Sequence, residues 1–181
     1  NVLTYARIAA VPAVLLFLLV MSAPAGRWWA LVVYVAACIT DYLDGYLARV
    51  WHQQSNLGRM LDPIADKLLV GITLLTLTAD GTISGIHLGA AAIILCREIL
   101  VSGLREFLAE LNVRVHVTQL AKWKTTLQMV ALGILVAGPA GDQVVSGVTT
   151  IGVAMLWVAA LLTIWTGYDY LKSAVRTAIE R

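Results

Sequence analysis

The chain has 181 residues, 60% hydrophobic and only 13% charged, with 13 basic side chains against 11 acidic ones. Soluble domains carry about 25% charged residues, so this composition excludes a disordered chain, a soluble enzyme with a charged shell and a disulfide-rich secreted domain. The class that fits is an all-α integral membrane bundle. The net charge of +2 comes with no basic run, which excludes a nucleic-acid surface. Cys38 and Cys96 lie in separate apolar stretches, make no metal motif and read as small core residues. The first residue is Asn1 rather than Met, so a preceding segment is expected, and no cleavable signal pattern is evident.

A membrane-crossing helix needs about 20 apolar residues. In chain order, such stretches fall at about 8–26, 27–50, 57–79, 84–108, 119–137 and 146–170. Turn-forming segments separate several of them: Pro24 to Gly26, Asp80-Gly81, and Gly138 to Asp142. With six spans both termini share one side. On that side fall Arg7, Arg49, Arg59, Lys67, Arg97, Arg105, Arg114, Lys122, Lys124, Lys172, Arg176 and Arg181, while Arg27 alone falls opposite. The 12-to-1 split predicts cytoplasmic termini. The chain is read as a single membrane domain over 1–181, in the cell inner or plasma membrane. The tryptophans and tyrosines near span ends fit interfacial belts. His52, His87 and His116 show no partner pattern and receive no role.

An aspartate in a span costs at least about 2.5 kcal/mol, yet Asp41, Asp44, Asp62 and Asp66 fall within 26 residues at one end of the second and third spans. Asp41, Asp44, Gly45 and Ala48 follow i, i+3, i+4, i+7, and Gly58, Asp62 and Asp66 step by four, so each set forms one helical stripe. A lone aspartate at a helix end is usually a solvated cap, and Asp62 before Pro63 suits a helix start. Four in phase with small residues point to a site. Clustered carboxylates raise one another's pKa unless cations neutralise them. With oxygen donors and no His or Cys in the motif, two Mg²⁺ or Mn²⁺ ions fit better than zinc. The small residues would let a bulky ligand approach the helix backbones.

The segment reads D-x2-D-G-x2-A-R-x8-G-x3-D-x3-D from Asp41 to Asp66 and resembles the signature of the CDP-alcohol phosphotransferase family at every fixed position. The resemblance implies that Asp41, Asp44, Asp62 and Asp66 hold two divalent cations, with Asp66 also the general base. It further implies a CDP-binding cleft formed by Asp44, Gly45, Ala48, Arg49 and Gly58. A homodimer of six-span subunits is also implied.

Two later stretches are basic: Arg97 to Glu106, with Arg97 and Arg105 nearly on one helical face, and Lys122 to Met129. Basic groups beside hydroxyls suit a phosphate, although positive-inside anchoring explains Arg114 and part of the rest. Glu98 and Glu106 are expected to pair with neighbouring arginines. These stretches, R-E-I-x-x-S-x-L-R-E and K-x-K-T-T-x-Q-M, and the opening N-x-L-T-x-x-R, resemble the phosphatidylglycerophosphate synthase branch of that family. The branch implies CDP-diacylglycerol as donor and glycerol 3-phosphate as acceptor. The acceptor phosphate would then lie near Arg105, Lys122, Lys124, Arg97 and Thr125, with Asn1 and Thr4 joining the CDP-binding set. Cardiolipin synthases share a K-x-x-T-x-x-Q-like element, so they and phosphatidylinositol-phosphate synthases remain rival branches. An ion or proton transporter would need a polar trail across the bilayer, but the far halves of the second and third spans are apolar.

Overall fold

The computed structural model describes residues 2–51, 56–110 and 119–179, with side chains described for all of these except 2–3, 44–51, 56–60, 110, 119–122, 169, 173–174 and 176–179. Among the described residues there are six α-helices and no strand: α1 (Val2–Leu19), α2 (Ala25–Trp51), α3 (Asn56–Ala79), α4 (Leu88–Glu110), α5 (Gln119–Asp142) and α6 (Val148–Ile179). A 3-10 turn, Gly85–His87, leads into α4. Each apolar stretch forms one helix, with shifted ends. The first stretch was expected to reach residue 26, but α1 stops at Leu19 and residues 20–24 turn the chain. Pro24 cannot extend α1, because its ring would collide with the carbonyl one turn back.

The helices pack in the order α3, α1, α2, α5, α6, α4, and α4 returns to α3, closing a ring. Tyr34, Leu74, Leu77, Ile94, Leu132, Leu135 and Leu156 fill its interior, each no more than 1% exposed. The Tyr34 hydroxyl donates to the Met129 carbonyl at 3.1 Å, which satisfies a phenol among apolar neighbours. α5 and α6 approach closely at Gly152, where a Cβ would stand 2.8 Å from Leu135 Cγ. Of the two thiols, Cys38 packs against this core, while Cys96 is exposed on α4. The core reading of the cysteines therefore holds for Cys38 and not for Cys96.

Gly85–Ala109 and Val148–Lys172 are long and apolar enough to cross a bilayer, with mean hydropathies of 1.6 and 2.0. Leu16, Val32, Leu75, Ile99 and Leu161 face outward from five different helices, an apolar exterior that suits lipid better than water.

The cation predicted to lie opposite the others, Arg27, is only 8% exposed. Its NH2 donates to Asp80 Oδ2 at 2.5 Å and Thr82 Oγ1 at 2.7 Å, and its NH1 reaches the carbonyls of Leu135 and Val136 at 3.4 and 3.2 Å. The Leu135 carbonyl would normally accept from the residue four positions on, but that residue is Pro139 and has no N–H. Arg27 supplies a donor in its place. Here α5 breaks at Gly138 (φ 37°, ψ −122°), then continues helically to Asp142. The segment expected as a plain connection is therefore a kink plus one more turn, since proline is tolerated where a helical turn restarts.

Candidate active site

The site begins on α1. Thr4 and Arg7 are one helical turn apart on the face turned toward α2 and α3, and both are buried, at 1% and 0% exposure. Arg7 NH1 donates to Asp66 Oδ1 at 2.8 Å, and its NH2 lies 2.8 Å from Asp41 Oδ1. The second contact is an ion pair by distance whose angle falls outside hydrogen-bond geometry. One guanidinium thus compensates two carboxylates that would otherwise repel each other. Thr4 Oγ1 donates to Asp62 Oδ1 at 2.8 Å. Thr4, expected near the nucleotide, here meets one of the predicted ligands. α3 begins at Asn56, well before Pro63, so Asp62 sits in the helix body and not at a helix start.

Asp41, Asp62 and Asp66 are thereby gathered on one edge of α1, and Asp66 feels the charges of the other two. The side chains of Asp44, Arg49 and Lys122, the surroundings of Gly45, Ala48 and Gly58, and Asn1 lie outside the described residues. α2 and α3 nonetheless run unbroken through positions 44, 45, 48 and 58, so the two small-residue and aspartate stripes keep their helical phase.

The donor chemistry fits a hard divalent cation. The described groups are carboxylates, and the Asp41 and Asp66 side chains are 40% and 44% exposed although Arg7 beside them is enclosed. Among the described residues no three acidic, His or Cys side chains stand close enough together to cage an ion. The fourth carboxylate of the motif, Asp44, is not among them.

A second polar cluster joins α4, α5 and α6. Lys124, 1% exposed, pairs with Glu98 Oε1. The same oxygen lies 3.4 Å from Arg97 NH1, and Arg97 NH2 donates to Thr166 Oγ1 at 3.2 Å. The Arg105 guanidinium lies over the Tyr170 ring, 5.9 Å from its centre. Arg97 and Lys124 each feel the charge of Arg105. Three of the expected phosphate ligands therefore belong to one cluster, whereas Thr125 is exposed on α5. Glu98 pairs as expected, with Lys124 as well as with an arginine. Lys67 Nζ meets Ser102 Oγ, linking the residue after Asp66 to the Arg97–Arg105 stretch of α4. Sequence reasoning assigned no site role to Arg7, Thr166 or Gln128. Gln128, one turn from Lys124, is 2% exposed and its Oε1 has no partner among the described residues. His87, given no role, accepts a hydrogen bond from Trp157 Nε1 at 3.1 Å.

A groove of about 640 Å³ runs between α2 and α5, from Tyr42 and Cys38 beside Asp41 to Trp28 and Val145 at the far end, with an almost wholly apolar lining.

The CDP-alcohol phosphatidyltransferase family profile matches residues 1–165. The chain belongs to that family. Among CDP-alcohol phosphatidyltransferases, a relative from Rickettsia bellii is 48% identical, covering 96% of this chain and 93% of its own. One from Shigella flexneri is 40% identical over 96% of this chain and 93% of its own, and one from Cereibacter sphaeroides 38% identical over 97% and 94%. All three are named CDP-diacylglycerol–glycerol-3-phosphate 3-phosphatidyltransferase.

Proposed function

We propose that this chain transfers the phosphatidyl group of CDP-diacylglycerol to glycerol 3-phosphate, forming phosphatidylglycerol phosphate and CMP. The observation that carries the reading is the junction of two clusters. The carboxylates on Arg7 and Thr4 provide acid–base groups, and Lys67–Ser102 ties their helix to a cluster charged for a phosphate. Arg97, Lys124 and Arg105 outnumber Glu98, the carboxylate that pairs with two of them, which suits a phosphate monoester. The apolar groove beside Asp41 suits an acyl chain of the donor. The names of the relatives agree with this substrate pair.

In this reading Asp66 accepts the proton of the acceptor's primary hydroxyl. The oxygen then attacks the phosphorus bearing the diacylglycerol, and the bond from that phosphorus to CMP breaks, CMP leaving as an anion. Arg7 keeps Asp66 Oδ1 fixed during the approach. Lys124 and the two arginines hold the acceptor phosphate so that its hydroxyl points toward Asp66. Asp41, Asp44, Asp62 and Asp66 would hold two Mg²⁺ or Mn²⁺ ions, which supply charge neutralisation at the pyrophosphate. Gly45, Ala48 and Gly58, with Asp44, Arg49 and Asn1, flank the CDP, while Thr4, enclosed against Asp62, supports that set from behind. The chain forms one six-span membrane domain with both termini and the site on the cytoplasmic side of the inner or plasma membrane, and works as a homodimer.

The test is an acceptor panel. Purified protein in lipid vesicles receives CDP-diacylglycerol with glycerol 3-phosphate, phosphatidylglycerol or an inositol phosphate, and CMP release is followed. Release with glycerol 3-phosphate alone supports the reading; release with either other acceptor alone moves the chain to another branch.

A further inference from the structure

Arg97 and Arg105 are eight residues apart on α4, and both turn toward the same face of α6. That face carries Thr166, Gly167 and Tyr170, which share a helical stripe. The Thr166 hydroxyl spends its proton on the Leu162 carbonyl at 2.9 Å, so a lone pair is left for the Arg97 NH2 donor at 3.2 Å. Gly167 lies under the Arg97 stem, where a Cβ would stand 3.2 Å from Cγ and 3.6 Å from Nε. Tyr170 offers its ring face to Arg105. These α6 partners are a hydroxyl, a gap and an aromatic face, all uncharged. They fix the direction of a guanidinium without neutralising it, whereas a carboxylate would compete with an incoming anion. Glu98, the carboxylate that reaches Arg97, is shared with Lys124.

We propose that Thr166, Gly167 and Tyr170 are positioning residues that aim Arg97 and Arg105 at the acceptor's phosphate while leaving their charge unspent, and so make α6 part of acceptor selection. The proposal rests on the reading of Arg97 and Arg105 as acceptor ligands. Thr166 acts through Arg97, so its substitution changes acceptor binding and leaves donor binding alone.

The experiment measures KM for glycerol 3-phosphate and for CDP-diacylglycerol, in one vesicle composition, for Thr166→Val, Thr166→Ser, Gly167→Ala and Arg97→Ala. Thr166→Val keeps the shape and loses the acceptor atom, so the glycerol 3-phosphate KM rises roughly three- to tenfold while the CDP-diacylglycerol KM holds. Thr166→Ser restores the wild-type value, and Gly167→Ala raises the same KM by pushing the Arg97 stem aside. An unchanged acceptor KM in Thr166→Val, with a raised one in Arg97→Ala, overturns the role of α6 and leaves the acceptor site standing. An unchanged KM in Arg97→Ala overturns both. Equal impairment in Thr166→Ser and Thr166→Val makes the effect one of packing and also overturns the proposal. If Thr166→Val does not fold, Gly167→Ala and Tyr170→Leu decide the matter, and wild-type acceptor KM in both rejects it.

Discussion

Arg7 and Asp66 meet 2.8 Å apart where α1 crosses α3, the arginine wholly enclosed and the carboxylate 44% exposed. The same guanidinium reaches Asp41 on α2. A planar fork can serve two carboxylates at once, and an ammonium cannot hold that geometry. Removing it leaves two like charges side by side. Arg7→Met is expected to lower stability by about 2–3 kcal/mol, less than a fully buried pair would lose because both carboxylates can hydrate. Arg7→Lys recovers part of the stability and little of the turnover. Chemical unfolding in detergent and CMP release measure the two; wild-type turnover in Arg7→Lys would remove the fork from the account.

Thr4 orients Asp62 as Arg7 orients Asp66. Asp62 is a proposed metal ligand, and loss of a hydrogen bond to such a group typically costs about tenfold or more in metal affinity. Thr4→Val is therefore expected to raise the half-saturating Mn²⁺ concentration about tenfold, and Thr4→Ser to leave it unchanged. A Mn²⁺ titration followed by electron paramagnetic resonance reads the binding directly, without turnover.

The far end of the bundle is held by a different arginine, and its failure has a different signature. Gly138 has a positive φ of 37°, and a Cβ there would stand 2.8 Å from Arg27 NH1. Gly138→Ala is expected to cost roughly 1–3 kcal/mol, measured by unfolding, while both substrate KM values in the folded fraction stay at wild type. A selective loss of acceptor affinity would mean that this end communicates with the site.

Lys124 is enclosed beside Glu98. Lys124→Ala removes a proposed phosphate ligand and frees Glu98 to repel the acceptor, so KM for glycerol 3-phosphate is expected to rise well beyond the KM for CDP-diacylglycerol. Steady-state kinetics with each substrate varied in turn check this, and a rise in the lipid KM alone would put the acceptor elsewhere.

The helices were legible because hydropathy is local, and the aspartates because charge inside an apolar run stands out against its neighbours. Arg7 was not: at the end of an apolar helix one arginine reads as positive-inside anchoring, and its partners are 34 and 59 residues away. Thr166 and Gly167 carry no charge and sit in the apolar sixth stretch, where small residues read as packing. Pro139 and Gly138 read as the end of a helix because sequence gave no sign that Arg27, from another helix, could replace the missing donor. In each case the deciding contact joins distant parts of the chain, beyond the reach of periodicity.

The most direct test of the central claim is Asp66→Asn. The amide oxygen can still accept from Arg7, so the fold and the binding of CDP-diacylglycerol should persist, with Mn²⁺ bound more weakly but still to saturation. At saturating Mn²⁺, a group that no longer takes a proton should slow CMP release by about 10²- to 10⁴-fold. Retained binding with collapsed turnover is the expected result. Near-normal turnover would contradict the assignment of Asp66 as the base.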